Sequence, residues 1–205
     1  MNIKEYEQIK KLKYREYCDY LKKKYGTAKE NYFDGSFKKN KNVSRTKEGL
    51  ICHHICEDRT IMLSTPEYAE MCPYEYQKAK NLVYCDYLEH LLLHIMIVEN
   101  PKPDIPGDIV GYGGAVNFII PELNDVYSGF ATKQQWRLTC HKLIINDKDV
   151  YLKLLQRLII AGENTYNLFI DEKDFFTSFN DQYGIWKKEN NEKLFKEIED
   201  SLWND

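Results

Sequence analysis

The sequence has little that would place it in a membrane or outside the cell. Its longest apolar stretch near the middle, Leu91 to Val98, is too short to cross a bilayer. Residues 1–13 alternate charged and apolar side chains and lack the uninterrupted apolar segment of a secretory signal peptide. We therefore expect a cytoplasmic protein without a membrane partner.

Cysteine is limited to six residues with no CxxC pair. Such scattered thiols stay reduced in a cytosolic compartment, so disulfides are not expected. With 43% hydrophobic and 30% charged residues, the composition also excludes collagen-like and wholly disordered chains. A globular protein whose 205 residues can build a full-sized core is predicted.

Charge is distributed unevenly along the chain. Residues 1–49 carry 14 Lys or Arg against 7 Asp or Glu, whereas residues 50–205 carry 15 against 25. A basic segment on an acidic body suits a polyanionic partner, because Lys and Arg displace counterions from phosphates. A solvated, lysine-rich helix explains the same charge without a partner. The candidates for contacting a nucleic-acid backbone are five basic loop residues: Lys38, Lys39, Lys41, Arg45 and Lys47.

Apolar periodicity predicts a mostly helical α+β protein in three parts. Residues 1–45 are predicted to form a basic arm, with an amphipathic helix over 3–25 followed by a loop. Residues 46–100 are typical of a strand, a second strand and a helix. Asp86 is the predicted N-cap of that helix, which should end before Pro101.

Residues 101–205 are predicted to be a mostly helical C-terminal region. Its opening stretch holds three prolines and four glycines, which marks a loop or linker over 101–114. Within this stretch, the segment from Gly111 to Gly114 lacks the Lys and the Ser or Thr of a phosphate-binding P-loop, so a turn is predicted. The helices are predicted over 133–145, 147–160, 172–179 and 187–203.

Four of the five histidines lie within 42 residues. His90 and His94 are four residues apart on the predicted helix, so their imidazoles leave one face about one turn apart and can hold the same ion. His53 and His54 end the first predicted strand, which offers a third nitrogen ligand and one imidazole left free for proton transfer. These residues could build a catalytic centre.

The pattern resembles the HNH nucleases, in particular the nuclease-colicin version of their ββα-metal motif. In that motif a His-His pair lies on the first strand, an Asn lies near the second strand, and metal ligands lie on the helix. The matching residues here are the pair His53-His54, then Asn81, then His90 and His94. The resemblance covers residues 46–100 and implies a ββα-metal core there.

The resemblance implies that His53, His90 and His94 bind one divalent ion and that His54 is the general base, held in place by Asn81. Such a centre hydrolyses phosphodiesters and leaves 5′-phosphates. Three imidazole ligands favour Zn, Ni, Co or Mn over Mg, which prefers oxygen. The expected activity is that of an endonuclease acting on DNA, with RNA left open because nothing in the motif reads a 2′-hydroxyl. The sequence does not fix an oligomeric state.

Two features depart from the compact motif. Twenty-six residues separate His54 from Asn81, which predicts an inserted helix between Thr60 and Lys80. Adjacent residues on a regular strand also point to opposite faces, so a break in the strand between His53 and His54 is predicted.

A non-catalytic zinc-binding module is the alternative. Cys52 and Cys56 could join His90 and His94 in a closed Cys2His2 site. Such a site leaves no position for water or substrate, so the protein would then bind nucleic acid or a partner protein without cleaving it. Glu57, which follows the His pair closely, could orient a ligand, and a surface salt bridge explains it equally well.

Overall fold

The computed structural model of the chain describes residues 1–183 and 188–203. Within these ranges the protein is mostly helical with one antiparallel sheet, formed by β1 (Ile51–His54) and β2 (Leu82–Cys85), as the predicted α+β class requires. No helix in these ranges is both long and apolar enough to span a membrane. The α-helices are α1 (Ile3–Ile9), α2 (Tyr14–Tyr25), α3 (Pro66–Ala69), α4 (Tyr87–Glu99), α5 (Tyr112–Gly114), α6 (Ile120–Tyr127), α7 (Gln135–Lys142), α8 (Lys148–Tyr166), α9 (Phe179–Tyr183) and α10 (Lys188–Trp203).

The sheet places the two adjacent histidines on opposite faces. His53 lies opposite Val83 in the register, and His54 lies opposite Leu82. The predicted break between His53 and His54 is wrong, because β1 continues through both residues. The chain turns only after His54, in a 3₁₀ turn over Ile55–Asp58. That turn, rather than a break in the strand, brings the next side chains back toward the histidines.

Helix α4 is the central helix of the fold. Every residue from Leu91 to Val98 is buried, and the helix packs against α2, α8 and β2. Its first turn is a capping box, in which the Asp86 carboxylate accepts the Glu89 N–H and the Glu89 carboxylate accepts the Asp86 N–H, both at 2.8 Å. The predicted N-cap is confirmed, and so is the end of the helix before Pro101. Histidines on this helix therefore project from a rigid element.

One hydrophobic core joins the three predicted parts of the chain. It includes Tyr17 from the N-terminal arm, Leu92 from α4, and Leu155 and Ile198 from the C-terminal region. A smaller cluster around Phe33 packs beneath the basic loop. The parts are thus fixed against one another by shared burial of apolar surface.

Two predicted helices are wrong in extent. The predicted helix over 3–25 is two helices, because the Glu16 carboxylate accepts the Lys13 N–H at 2.8 Å and starts α2 there. The predicted helix over 172–179 is a single 3₁₀ turn, Glu172–Asp174. Residue 187, the predicted start of the last helix, lies outside the described residues.

The segments between the motif elements also differ from expectation. The predicted insertion between Thr60 and Lys80 contains only the short α3 and two 3₁₀ turns, Tyr74–Gln77 and Ala79–Asn81, since Pro66 can only begin a helix. Residues 112–127, which periodicity does not identify as helical, form α5, a π-helical segment over 115–119 and α6. Two glycines and a proline in that segment mask its helical tendency.

Candidate metal centre

Strand β1 and helix α4 bring three imidazoles together. The ring centroids of His90 and His94 are 4.9 Å apart, one turn from each other on α4. The ring of His53 lies 5.1 Å from that of His90 and 5.3 Å from that of His94. The structure therefore assembles the three residues proposed from the sequence as metal ligands.

Glu57 is a fourth member of the cluster. It lies in the 3₁₀ turn after β1, and its Oε2 is 3.3 Å from Nδ1 of His53 and 3.3 Å from Nε2 of His94. The possible ligand atoms of His53, Glu57, His90 and His94 all lie within 4.8 Å of one another, so the four residues could hold one metal ion. Sequence reasoning did not select Glu57. Its only signal was an acidic side chain four residues after His53.

A buried hydroxyl fixes the tautomer of His53. The Tyr14 hydroxyl donates to the carbonyl of Ile55 at 3.0 Å, so it must accept the proton on Nε2 of His53, 2.8 Å away. Nδ1 of His53 then carries a bare lone pair, and it is buried without a hydrogen-bond partner among the described residues. Such an unpaired buried acceptor is costly unless it has a ligand.

The same argument applies to His94. A carbonyl oxygen can only accept, so Nδ1 of His94 donates to Gly111 at 2.8 Å. The bare Nε2 faces Oε2 of Glu57. A carboxylate oxygen thus lies 3.3 Å from lone pairs on both His53 and His94. These acceptors repel one another unless a cation lies between them.

Burial keeps two of the clustered histidines, His53 and His90, in the form that binds metal. Removal from water lowers the pKa of His53 and that of His90 well below the ordinary value of 6.5, and the neighbouring imidazoles lower both further. Neutral imidazoles are the metal-binding form. Within the described part of the chain, Nδ1 of His90 is also buried without a hydrogen-bond partner.

The residues present fit a divalent cation. Three imidazole nitrogens with one carboxylate oxygen form a ligand set that suits Zn, Ni, Co or Mn. Hydrogen bonds from His53 and His94 to fixed oxygen atoms orient these rings in the way that metal-binding histidines require.

His54 stays outside the ligand cluster. Its Nε2 proton is donated to Oε1 of Gln77 at 3.1 Å, and the Gln77 amide donates to the carbonyl of Leu63 at 3.1 Å, which fixes the orientation of that amide. Nδ1 therefore carries the lone pair, 3.8 Å from Oε1 of Glu57. Burial also lowers the pKa of His54, so the imidazole is neutral and can accept a proton.

No hydrogen bond joins Asn81 to His54. Its side-chain amide donates to the carbonyl of Glu75 at 2.8 Å and supports the irregular segment before β2. The resemblance implied that Asn81 holds the general base, and the structure gives that contact to Gln77 instead. The reason is the path of the chain between β1 and β2, whose 3₁₀ turn over Tyr74–Gln77 carries Gln77 to the His54 ring.

A cavity of about 350 Å³ opens beside the cluster. His54, Glu57, His90 and His94 contribute to its wall, whereas His53 lies behind them and is only 1% exposed. A molecule in the cavity would therefore meet the free imidazole and the open side of the ligand cluster at once.

The residues of the basic loop differ in their availability. Arg45 is engaged within the protein, since its Nε donates to Glu48 at 2.7 Å and its guanidinium lies 4.7 Å from the ring centre of Tyr84. It therefore stabilises the loop, and the predicted nucleic-acid contact would require these bonds to break. The other four predicted residues are exposed to solvent: Lys38, Lys39, Lys41 and Lys47.

Lys39 links the loop to the site. Its Nζ lies 4.6 Å from the ring centre of Tyr32. The Tyr32 ring in turn contacts the ring of His54, with centroids 4.4 Å apart. A phosphate held by Lys39 would thus lie near the free imidazole.

The cysteines of the alternative zinc site are not in the cluster. Among the described residues, the group of possible ligands that converge contains neither Cys52 nor Cys56. Burial raises the pKa of the Cys52 thiol to about 12, so it is not a ready thiolate. The predicted Cys2His2 arrangement is wrong, because the turn after β1 presents Glu57 to the histidines instead.

No protein-family model, curated protein or solved structure matches this chain. The resemblance to HNH nucleases thus depends on the residues of the motif alone. The chemistry of the site is therefore the basis on which a function can be assigned.

Proposed function

We propose that the protein is a metal-dependent endonuclease of the HNH type that hydrolyses phosphodiester bonds in nucleic acid, with DNA as the expected substrate. The observation that carries this proposal is that three members of the four-residue ligand set, Glu57, His90 and His94, line the same cavity as the separate, unliganded His54. A purely structural metal site needs no free imidazole beside it. Hydrolysis does need a proton acceptor, because water must lose a proton as it attacks, and the free imidazole supplies one.

The ligands of the cation would be His53, Glu57, His90 and His94. When bound, a divalent cation supplies positive charge that stabilises the phosphate and the departing oxygen. The carboxylate of Glu57 alone would repel a phosphodiester. A cation held by these ligands would offset the charge of Glu57, so that an anionic substrate can approach it.

His54 performs the proton transfer in this scheme. Nδ1 accepts a proton from water while the water oxygen bonds to phosphorus, and the bond from phosphorus to the 3′ oxygen breaks. The 3′ oxygen takes up a proton from solvent, which leaves a 3′-hydroxyl and a 5′-phosphate. The bond from Nε2 to Gln77 keeps Nδ1 directed into the cavity throughout.

The test is a cleavage assay on supercoiled plasmid and on structured RNA, with Mg, Mn, Ni or Zn added in turn to the purified protein. We expect His54→Ala to bind metal as the wild type does and to lose at least about a hundredfold in rate, the usual effect of removing a general base. His94→Ala should lose both metal and cleavage. Calorimetric titration measures the metal affinity of each variant.

Cys56→Ser is the control for the metal site, since Cys56 lies in the same turn as Glu57 but outside the cluster. It should keep metal and activity, whereas Glu57→Gln should lose metal. Metal binding that survives Glu57→Gln and vanishes with Cys56→Ser would overturn the assignment. Cleavage that is undiminished in His54→Ala would overturn the mechanism.

A further inference from the structure

The cavity beside the metal centre has an apolar side that phosphodiester hydrolysis by itself does not require. Away from the histidines it is lined by Ile61, Ile109 and Phe118. These side chains remain 49%, 46% and 54% exposed, respectively. Large apolar side chains left half-exposed around a concave site mark a surface that binds a ligand.

The charge of the lining is equally informative. Among the residues that the structure describes, no Lys or Arg lines this cavity, and Glu57 is its only acidic residue. The described cavity wall therefore has no cationic side chain that could bind a second phosphate. The part of the substrate that enters the cavity, next to the cleaved phosphate, must then be uncharged. The lysines of the loop at 38–47 lie outside the cavity lining.

Uncharged hydrogen-bonding groups complete the wall. Thr60, Thr65 and Asn117 line the same cavity as the apolar side chains. A planar aromatic ligand with polar edges matches an aromatic and aliphatic wall with a few hydroxyl and amide groups. A nucleobase has this chemistry, and the cavity volume of about 350 Å³ lies near the lower end of the usual range of roughly 300–1,000 Å³ for small-ligand sites.

We propose that this cavity binds the base of the nucleotide next to the cleaved phosphate and that the base stacks on Phe118, so that the substrate is an unpaired or flipped-out nucleotide. This inference rests on the proposed nuclease function and names its substrate class. A base within a duplex is paired and stacked on both faces, so it can enter the cavity only after leaving the helix. Single-stranded nucleic acid does not incur that cost.

The experiment measures binding separately from cleavage. The His54→Ala background is loaded with Mn and, in parallel, with Zn. It holds the substrate uncut while fluorescence anisotropy gives the affinity for a labelled single-stranded oligonucleotide and for the same sequence as a duplex. Phe118→Ala is then compared with Phe169→Ala in that background. Phe169 is 93% exposed and does not line the cavity. Phe169→Ala therefore controls for the loss of a phenyl group from the surface.

We expect the single strand to bind at least tenfold more tightly than the duplex. Phe118→Ala should weaken single-strand binding about tenfold, within the range known for one stacked base, while Phe169→Ala changes nothing and metal affinity is kept in both. In the protein with His54 intact, Phe118→Ala should slow cleavage of the single strand by a similar factor.

The failures are distinguishable. If single-stranded and duplex nucleic acid are bound and cleaved equally well, and Phe118→Ala has no effect, the base-binding cavity is overturned and the nuclease proposal stands. Binding that depends on Phe118 without cleavage in any metal would support the cavity and reject the nuclease activity. No binding of either nucleic acid would overturn both.

Discussion

The carbonyl oxygen of Gly111 accepts the Nδ1 proton of His94 at 2.8 Å, across 17 residues of chain. Gly111 adopts a φ of 86°, and a Cβ there would lie 2.8 Å from the carbonyl oxygen of His94. A Cβ on Gly114 would lie 2.3 Å from Cε1 of the same imidazole. The segment that the sequence predicts to be a simple turn therefore orients a candidate metal ligand, and it does so because glycine permits the close approach.

Gly114→Ala should weaken metal binding. Gly114 has a helical backbone, so alanine is favoured there by propensity and the only penalty is the clash with His94. Displacement of the ring should cost about 10–100-fold in metal affinity, the usual effect of losing a group that orients a ligand. Calorimetric titration with Zn or Mn measures it.

Gly113→Ala is the matched control in the same turn. Its Cβ would meet only Nδ2 of Asn117 at 3.6 Å, an ordinary contact, so metal affinity should not change. If both variants lost metal affinity equally, the segment would affect metal binding through the stability of its helix and not through the position of His94.

Gln77→Leu tests the residue that orients His54. Gln77 is fully buried and supplies the acceptor for the Nε2 proton, so its loss should lower kcat about tenfold or more by releasing the imidazole. Metal affinity should stay at the wild-type level, because Gln77 is not in the ligand cluster. Rates at saturating substrate and calorimetry on the same preparations separate these effects.

Asn81→Ala provides the comparison, since the HNH resemblance gives Asn81 the role that the structure gives to Gln77. We expect Asn81→Ala to reduce kcat less than Gln77→Leu does, because its amide donates to the carbonyl of Glu75 and not to His54. The opposite order of effects would restore the role that the resemblance implies.

The parts of the site that the sequence predicts depend on local rules. His90 and His94 share a face because helical residues four apart always do, and Asp86 fixes where that helix begins. The small number of histidines in the chain adds weight to their clustering. These features require no knowledge of the remaining fold.

The parts that the sequence does not predict depend on how irregular segments fold. Glu57 reaches the cluster only because the chain forms a 3₁₀ turn after β1, and Gln77 reaches His54 only because the segment between the strands is turns and not one helix. The contact of Gly111 with His94 arises from packing between distant elements. Spacing in the sequence carries no signal for the contacts of Gln77 and Gly111, and for Glu57 it offers only an acidic side chain four residues after His53.

Two exposed lysines of the basic loop provide a test of nucleic-acid contact. Lys38→Gln combined with Lys41→Gln should weaken binding to DNA and reduce the slope of log affinity against log salt by about 1 for each phosphate that the protein no longer neutralises. Anisotropy titrations at several salt concentrations measure the slope. The control is the pair Lys173→Gln and Lys196→Gln, which removes the same charge from the C-terminal region.

Arg45→Gln should behave differently from the two lysine changes. Its guanidinium donates hydrogen bonds to Glu48 and to the carbonyl of Tyr25, so the main effect of the substitution should be a lower melting temperature of the protein.

In the lysine experiment, the control pair Lys173→Gln and Lys196→Gln could change the salt slope as much as Lys38→Gln and Lys41→Gln do. That result would mean that the loop is no more than a solvated basic surface.

Glu122 should make stability depend on pH in the acid range. Burial alone would raise the pKa of its carboxyl, but hydrogen bonds from His141 and Arg137 outweigh burial and hold the pKa below its ordinary value of 4.5. Asp125 also faces Arg137, at 3.4 Å. A group whose pKa is lower in the folded state stabilises the fold above its unfolded pKa and loses that effect as the pH falls through the folded value.

Glu122→Gln should therefore lower the free energy of unfolding by about 2 kcal/mol at pH 7, because Arg137 keeps only its longer contact with Asp125 and His141 loses the charged acceptor of its hydrogen bond. The difference from the wild type should shrink as the pH falls below about 4.5, where the unfolded carboxyl becomes protonated. Urea denaturation at pH 7 and at pH 3.5 measures both quantities. Glu197→Gln removes the more exposed pair with Lys148 and should cost no more than about 1 kcal/mol at either pH. A Glu122 variant whose deficit is the same at both pH values would show that the loss comes from packing and not from the ionised carboxylate.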